Sequence, residues 1–435
     1  MRIARRPPRV LRPLLAAALA GVLAGTLLPA TPASAANVKI DKRLFGMHDS
    51  DLTSWPAVSP GSVRLWDAGV TWRDIERSPG VYDFSRLDQL VRAANARGAE
   101  VTLVLGMTPD FYAPAGGNAT SMPADPAVWT NYVRAVATHY SPANWKGRRG
   151  IAAYQVWNEA NVTGYWTGTP LDMAKLTKAT WNAVKAVDKG ALVISPAFAA
   201  RIAEQIRGIQ RFAFARINGI PAWRYTDAIS LNLYPKDKYG TALGTPETSM
   251  ALLATARKLL GFGGVPPTKP IWNTEVNYGL ASGGTGKSTA ISAEKQAAYV
   301  LRTFLLNAAN GVRRVDWYMW DRPQLGNTKL TTSAGTPTLA GRAFGLARSW
   351  MVGGTLVGPS KAAKPCARDR AGTYTCVITY AGGVRRVYWN PSRTVSVRTA
   401  KSATFKVGVF GKRTKIKGGS RQSVDYRPLM VRSKA

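Results

Sequence analysis

At 435 residues the chain is longer than one hydrophobic core usually serves, so one large domain and a smaller one are expected. Its 59 Lys and Arg against 24 Asp and Glu give a formal charge of +35. With no DNA- or RNA-binding motif beside it, this excess argues against nucleic acid and for an acidic polymer or surface as a partner. Two cysteines and two histidines, His48 and His139, do not make a typical zinc site, and no cofactor is called for.

Residues 1–35 read as a signal peptide. Arg2, Arg5, Arg6, Arg9 and Arg12 form a basic start, and Leu14 to Leu28 is an apolar stretch. That stretch is too short and too rich in Ala and Gly for a good membrane span, and Ala33-Ser34-Ala35 fits a small-residue cleavage site. Cleavage near Ala35 predicts a secreted, extracellular protein with no remaining transmembrane segment and a charge of about +30.

Residues 36–350 alternate strand-like runs with amphipathic stretches, the pattern of a parallel α/β architecture. The expected strands are Phe45–His48, Ser62–Asp67, Glu100–Gly106, Ile151–Glu159, Ala191–Ser195, Ala228–Tyr234, Pro270–Glu275 and Arg314–Trp320. Helical patterns lie between most of them. Leu87, Leu90, Val91 and Ala94 follow the i, i+3, i+4, i+7 rule, Asp125-Pro126 opens a second helix, and Ala293 to Asn307 makes a third. Eight such units predict a closed (β/α)8 barrel, the TIM-barrel architecture.

Residues 351–435 are different. Tyr374–Tyr380, Arg385–Trp389, Thr394–Arg398 and Thr404–Phe410 are short, β-branched and separated by turn residues, which predicts an antiparallel β-sandwich. No Pro/Ser-rich linker precedes this domain, so it is expected to pack directly on the barrel. From residue 354 onward the balance of charge is +16, densest at Lys412-Arg413, Lys415 and Lys417 in an expected turn. That excess suggests retention on an acidic polysaccharide or cell-wall polymer, and the bland alternative is a solvated face. Cys366 and Cys376, close in sequence in an exported chain, are expected to form a disulfide closing a hairpin.

Two strand-end glutamates carry the functional reading. Glu159 closes Ile151-Ala-Ala-Tyr-Gln-Val-Trp-Asn-Glu159, and Glu275 closes Pro270-Ile-Trp-Asn-Thr-Glu275. They lie 116 residues apart, three strand–helix units of about 39. Strand ends at one barrel face are where reacting groups converge, and glycoside cleavage needs one carboxyl that donates a proton and one that stays ionised. Asn158 is placed to bond a sugar 2-hydroxyl. Trp66, Trp157, Tyr234 and Trp320, at or near strand ends, offer faces for sugar rings. The sequon Asn161-Val162-Thr163, just past Glu159, would hang a glycan in the cleft, which favours a bacterial export route.

At these residues the chain resembles clan A of the glycoside hydrolases, the retaining (β/α)8 enzymes, over about residues 40 to 350, with an appended β domain as in family 39; family 5 is the other member it is like. The resemblance implies that Glu159, in Trp157-Asn158-Glu159-Ala160-Asn161, is the acid/base and Glu275 the nucleophile. It further matches Arg64 to the clan's strand-two arginine, Tyr234 to its strand-six tyrosine and Trp320 to its strand-eight tryptophan. Trp72-Arg-Asp-Ile-Glu76 followed by Pro79-Gly-Val-Tyr-Asp-Phe-Ser85 is also similar. Ala160 departs from the common proline, and Asn232 stands where many members carry histidine. The structural alternative for each glutamate is a salt-bridged residue at the barrel top, for Arg64 an orienting role, and for Trp66 and Trp157 barrel packing. Asp67 and Asp321 lack motif context and are given supporting roles. The resulting expectation is a secreted glycosidase acting on a carbohydrate. The rivals are a non-catalytic carbohydrate- or wall-binding barrel and a transglycosylase using the same two glutamates.

Overall fold

The computed structural model describes residues 37–52, 55–235, 244–279, 291–320, 328–332, 335–360 and 363–434. The expected leader, residues 1–35, and Asp321 lie outside these. Eight parallel strands close into a barrel: β1 (Phe45–Met47), β2 (Ser62–Leu65), β3 (Glu100–Val104), β4 (Ala153–Gln155), β5 (Leu192–Ala199), β6 (Ala228–Asn232), β7 (Ile271–Val276) and β8 (Val312–Trp317). Closure is through β8 against β1, with Val315 opposite Phe45 and Trp317 opposite Met47. The (β/α)8 architecture expected from the alternating pattern is therefore the observed one.

Beside a single helical turn at Trp72–Ile75, seven longer helices surround the strands among the described residues: α1 (Ser85–Ala96), α2 (Pro126–His139), α3 (Pro170–Val187), α4 (Ala203–Phe214), α5 (Pro246–Phe262), α6 (Ala293–Ala309) and α7 (Leu339–Met351). Their starts are written in the sequence. Asp125, Thr169 and Thr245 each precede a proline at the first helical position and accept a backbone N–H of the first turn. The amphipathic reading of α1 holds, since Leu87, Leu90, Val91 and Ala94 are its buried residues. No described helix intervenes between β1 and β2.

The barrel interior is polar, which alternation explains. Outward-pointing strand residues such as Val315, Trp317, Leu231 and Leu233 join the hydrophobic cluster under the helices. Inward-pointing ones bond each other across the barrel: Arg314 donates to Thr102, Ser230 pairs with Thr274, and Thr274 donates to Asn232. Gly46 is required where strand and side chain approach closely, because a Cβ there would lie 2.0 Å from Asp316 Oδ1.

The C-terminal part is an antiparallel sheet with strands β9 (Thr355–Val357), β10 (Tyr374–Tyr380), β11 (Gly383–Trp389), β13 (Ala403–Val407), β14 (Arg413–Lys415) and β16 (Leu429–Ser433). The hairpin of β12 (Val395–Arg398) with β15 (Arg421–Val424) packs Val395, Val397 and Val424 against its Tyr388, Ala403 and Val431. Two features were not legible in advance. Val38–Lys39, at the start of the described chain, pairs with β9 and belongs to this sheet rather than to the barrel. The basic cluster expected in a turn is instead β14, an exposed edge strand, where charged side chains discourage strand-to-strand association.

Sheet and barrel share one hydrophobic cluster, running from Phe304 and Phe344 to Ile378, Val387, Trp389 and Met430. Glu247 in α5 takes a two-pronged contact from buried Arg302 of α6 and a 3.0 Å bond from Trp389 Nε1 of β11. The Cys366–Cys376 disulfide is present and both cysteines are buried. It closes a hairpin in which Ala367 and Arg368 pair with Thr375 and Tyr374. No described helix is long and apolar enough to cross a membrane.

Candidate active site

The C-terminal ends of β2, β4, β6 and β7 bring Arg64, Asn158, Glu159, Asn232, Tyr234 and Glu275 into one connected group. Arg64 is fully buried in the barrel interior. Its guanidinium donates from Nε to Gln155 Oε1 (2.8 Å), from Nη1 to Glu275 Oε1 (2.7 Å) and from Nη2 to Asn158 Oδ1 (2.9 Å). One cation thus ties strand four to strand seven. The other oxygen of Glu275, Oε2, accepts the Tyr234 hydroxyl at 3.1 Å. Asn232 is the strand partner of Glu275 across a register shift, and its Nδ2 donates to Glu159 Oε1 at 3.1 Å. Asn232 thus bonds the Glu159 carboxyl with its side chain and lies beside Glu275 through the backbone alone.

The hydrogen-bonded part of strand four stops at Gln155, short of the expected Glu159. The chain continues along β5 through Val156 N to Ile194 O and Ala160 N to Ala197 O. Glu159 sits there with φ +41°, a left-handed conformation that costs a non-glycine residue about 1 to 3 kcal/mol and is characteristic of sites under functional constraint. Asn161 clamps this turn. Its Nδ2 donates to Ala199 O and Gln205 O, both at 2.7 Å, and its Oδ1 accepts Ala199 N at 2.9 Å. The amide of the sequon is thereby committed to holding the Glu159 loop in place.

Burial, together with the negative charges of Glu159 and Asp67, pushes Glu275 up to about 7, against the opposing pull of Arg64. Repulsion between the two carboxylates favours a state in which only one of them is ionised. Arg64 and Tyr234 both donate to Glu275, so the negative charge of the singly protonated pair is stabilised there. His48, at the end of β1, is buried with Nε2 3.0 Å from Thr274 O and 3.1 Å from Arg64 Nη1. Burial and the adjacent guanidinium hold its ring well below the usual range, hence neutral.

The aromatic expectations divide. Trp66 lies at the mouth, edge-on to Tyr165 with ring centres 6.4 Å apart. Trp157 is packing: it is fully buried against Trp129 and Trp166, and its Nε1 donates to Tyr165 O. Trp320 is not brought to the cleft. Strand eight ends at Trp317, alternation stops with it, and Trp320 is packed in the hydrophobic cluster under the helices. Tyr318 and Met319 stand with Tyr234 instead, and Tyr318 donates its hydroxyl to Asp67 at 2.7 Å. Burial raises the Asp67 carboxyl even so.

Sequence reading missed Gln155, Tyr165 and Tyr318. Gln155 carried a usable signal, a polar side chain in the middle of an apolar strand at an inward position. Tyr165 and Tyr318 carried none, because loop paths decide where they point. Among the described residues no group of three or more His, Cys, Asp or Glu side chains is assembled to hold a metal ion.

No protein-family model and no curated protein matches this chain. Its fold is that of solved glycoside hydrolases. A family 39 glycoside hydrolase from Bacteroides cellulosilyticus is similar at a TM-score of 0.66 and 16% identity, over 91% of this chain and 82% of that one. A family 39 β-xylosidase from Caulobacter crescentus matches at 0.63 and 15%, over 92% and 98%. A family 51 arabinofuranosidase from Xanthomonas axonopodis pv. citri matches at 0.61 and 13%, over 92% and 98%. These likenesses define the fold class, a (β/α)8 barrel with an appended β domain. At such identities the particular reaction rests on the site itself.

Proposed function

We propose that the protein is a secreted retaining glycoside hydrolase that cleaves O-glycosidic bonds by double displacement. Glu275 attacks the anomeric carbon while Glu159 gives its proton to the leaving oxygen. A glycosyl ester on Glu275 results. Glu159, now ionised, takes a proton from water, the water oxygen bonds the anomeric carbon, and Glu275 leaves as carboxylate. No cofactor enters either step.

The observation that carries this reading is the asymmetry of donors at the two carboxyls. Glu275 receives a guanidinium on one oxygen and a phenol on the other, which suits the group that must attack as an anion. Among the described residues Glu159 receives only the neutral amide of Asn232, which suits the group that must carry a proton. The amide oxygen of Asn158 is taken by Arg64, so its NH2 is the part left for a sugar hydroxyl. Export is part of the same reading, supported by the basic and apolar leader and by the disulfide.

Glu275→Ala tests the assignment. It should abolish cleavage with the fold retained, and azide should restore turnover with inverted anomeric configuration. Undiminished activity in this variant removes Glu275 from the nucleophile role. The substrate panel should include aryl xylosides and arabinofuranosides, the sugars named for two of the neighbours, beside other neutral and acidic glycans.

A further inference from the structure

We infer that the sugar bound at this site carries an anionic substituent, of which a uronosyl carboxylate fits best, and that Arg201 is the residue that reads it. The inference rests on the glycosidase reading above and narrows its substrate class. Arg201 follows β5, between the loop bearing Glu159 and strand β6. Its guanidinium lies over the ring of Tyr234, 5.4 Å from the ring centre, and the hydroxyl of that ring is 3.1 Å from Glu275 Oε2. Through Tyr234 these contacts connect the charge to the carboxyl of Glu275.

The other arginines built into the barrel have carboxylates: Arg64 has Glu275, Arg314 has Glu100 and Arg302 has Glu247. Among the described residues the guanidinium of Arg201, although partly buried, makes neither an ion pair nor a hydrogen bond. It is nonetheless held on a fixed backbone, because its N–H donates to Gln205 Oε1 at 2.9 Å at the first turn of α4. A guanidinium over an aromatic ring keeps its N–H groups for a bidentate partner, and a carboxylate matches that planar fork. A neutral sugar would leave the charge uncompensated as it displaced water, which disfavours it at this position. The net positive charge of the chain would draw such a polymer in.

The test uses the full-length protein and Arg201→Gln on one uronate-containing polysaccharide before and after chemical reduction of its carboxyls to hydroxymethyl groups, and on one sulfated polysaccharide before and after desulfation. Cleavage and, separately, affinity by calorimetry with Glu275→Gln and the double variant are measured. The expected result is that the acidic form is preferred at least tenfold. Arg201→Gln should raise KM for it by about 10- to 100-fold, as loss of a charge-assisted bond does, with a much smaller effect on the neutral form. Arg201→Lys, which keeps charge without the fork, should recover part of the loss. Sensitivity to carboxyl reduction assigns the anion to a uronosyl residue, and sensitivity to desulfation alone assigns it to a sulfate ester. Equal losses on acidic and neutral forms would mean a merely structural Arg201 and overturn the inference. Cleavage of neutral substrates with no acidic preference overturns it while leaving the glycosidase reading in place. Absence of cleavage everywhere rejects that reading instead, and the affinities then decide whether Arg201 selects acidic glycans at all.

Discussion

Replacing Glu159 by Gln should change the pH dependence of kcat/KM in a way that exposes the coupling between the two glutamates. In the wild type the active state is the singly protonated pair, with the charge on Glu275 and the proton on Glu159. Raising the pH removes the proton that Glu159 must give to the leaving oxygen, so activity should fall on the basic side. Lowering the pH places a second proton on the pair and also stops turnover, which makes the profile bell-shaped. In Glu159→Gln neither event remains in that form. At the separation of about 5.5 Å that double displacement uses, and an effective dielectric constant of about 20, removing one like charge is worth ~3 kcal/mol, or about 2 pH units. Burial and Asp67 still raise Glu275 and Arg64 still lowers it. With an activated aryl glycoside, which needs no acid, the variant should therefore lose its basic limb and keep a single acid limb ~1 to 2 units below 7. Activity rises with pH through that limb because Glu275 attacks only when ionised. The assay is kcat/KM from pH 4 to 9 for both proteins. A basic limb that persists in the variant would refute the argument.

Glu159→Gln should also slow substrates with poor leaving groups by about 100- to 10,000-fold while sparing activated ones, and equal losses on both would remove Glu159 from the acid role. Tyr234→Phe removes one of the two donors to Glu275 and should lower kcat by about 10- to 100-fold, with thermal denaturation little changed. Glu247→Ala strips the partner from Arg302, which is 2% exposed, and the acceptor from Trp389, so urea denaturation should report a loss of ~3 to 5 kcal/mol. Replacing both Cys366 and Cys376 by Ala opens a loop of sequence separation 10 and should cost ~2 to 3 kcal/mol without abolishing activity at 25 °C. The basic edge formed by Arg413–Lys415 and its neighbours should retain the full-length protein on acidic but not neutral polymer at low salt, and release it at high salt. Retention on both, or on neither, would leave that charge as protection of a sheet edge.

The amino-acid sequence by itself determined the repeating architecture and singled out two carboxyls as candidates. Strand period, helix period and Asp-Pro or Thr-Pro helix starts are local signals, and the Trp-Asn-Glu and Thr-Glu strings mark strand ends because the apolar run stops there. The pairing of Cys366 with Cys376 was legible for the same reason, since a ten-residue separation is a short-range fact. Tertiary structure alone decided which side chains meet. That Arg64 spans Gln155, Asn158 and Glu275 depends on barrel closure bringing β2, β4 and β7 around one axis, across separations of 91, 94 and 211 residues. Trp320 leaves the cleft and Tyr318 enters it because alternation ends where the strand ends. Arg201 is placed over the ring of Tyr234 by the path of a loop that no periodicity records. Val38–Lys39 joins the C-terminal sheet because the barrel folds the start of the described chain back beside β9. Local propensity specifies elements, while partners distant in the chain are chosen by the packing of those elements into one core.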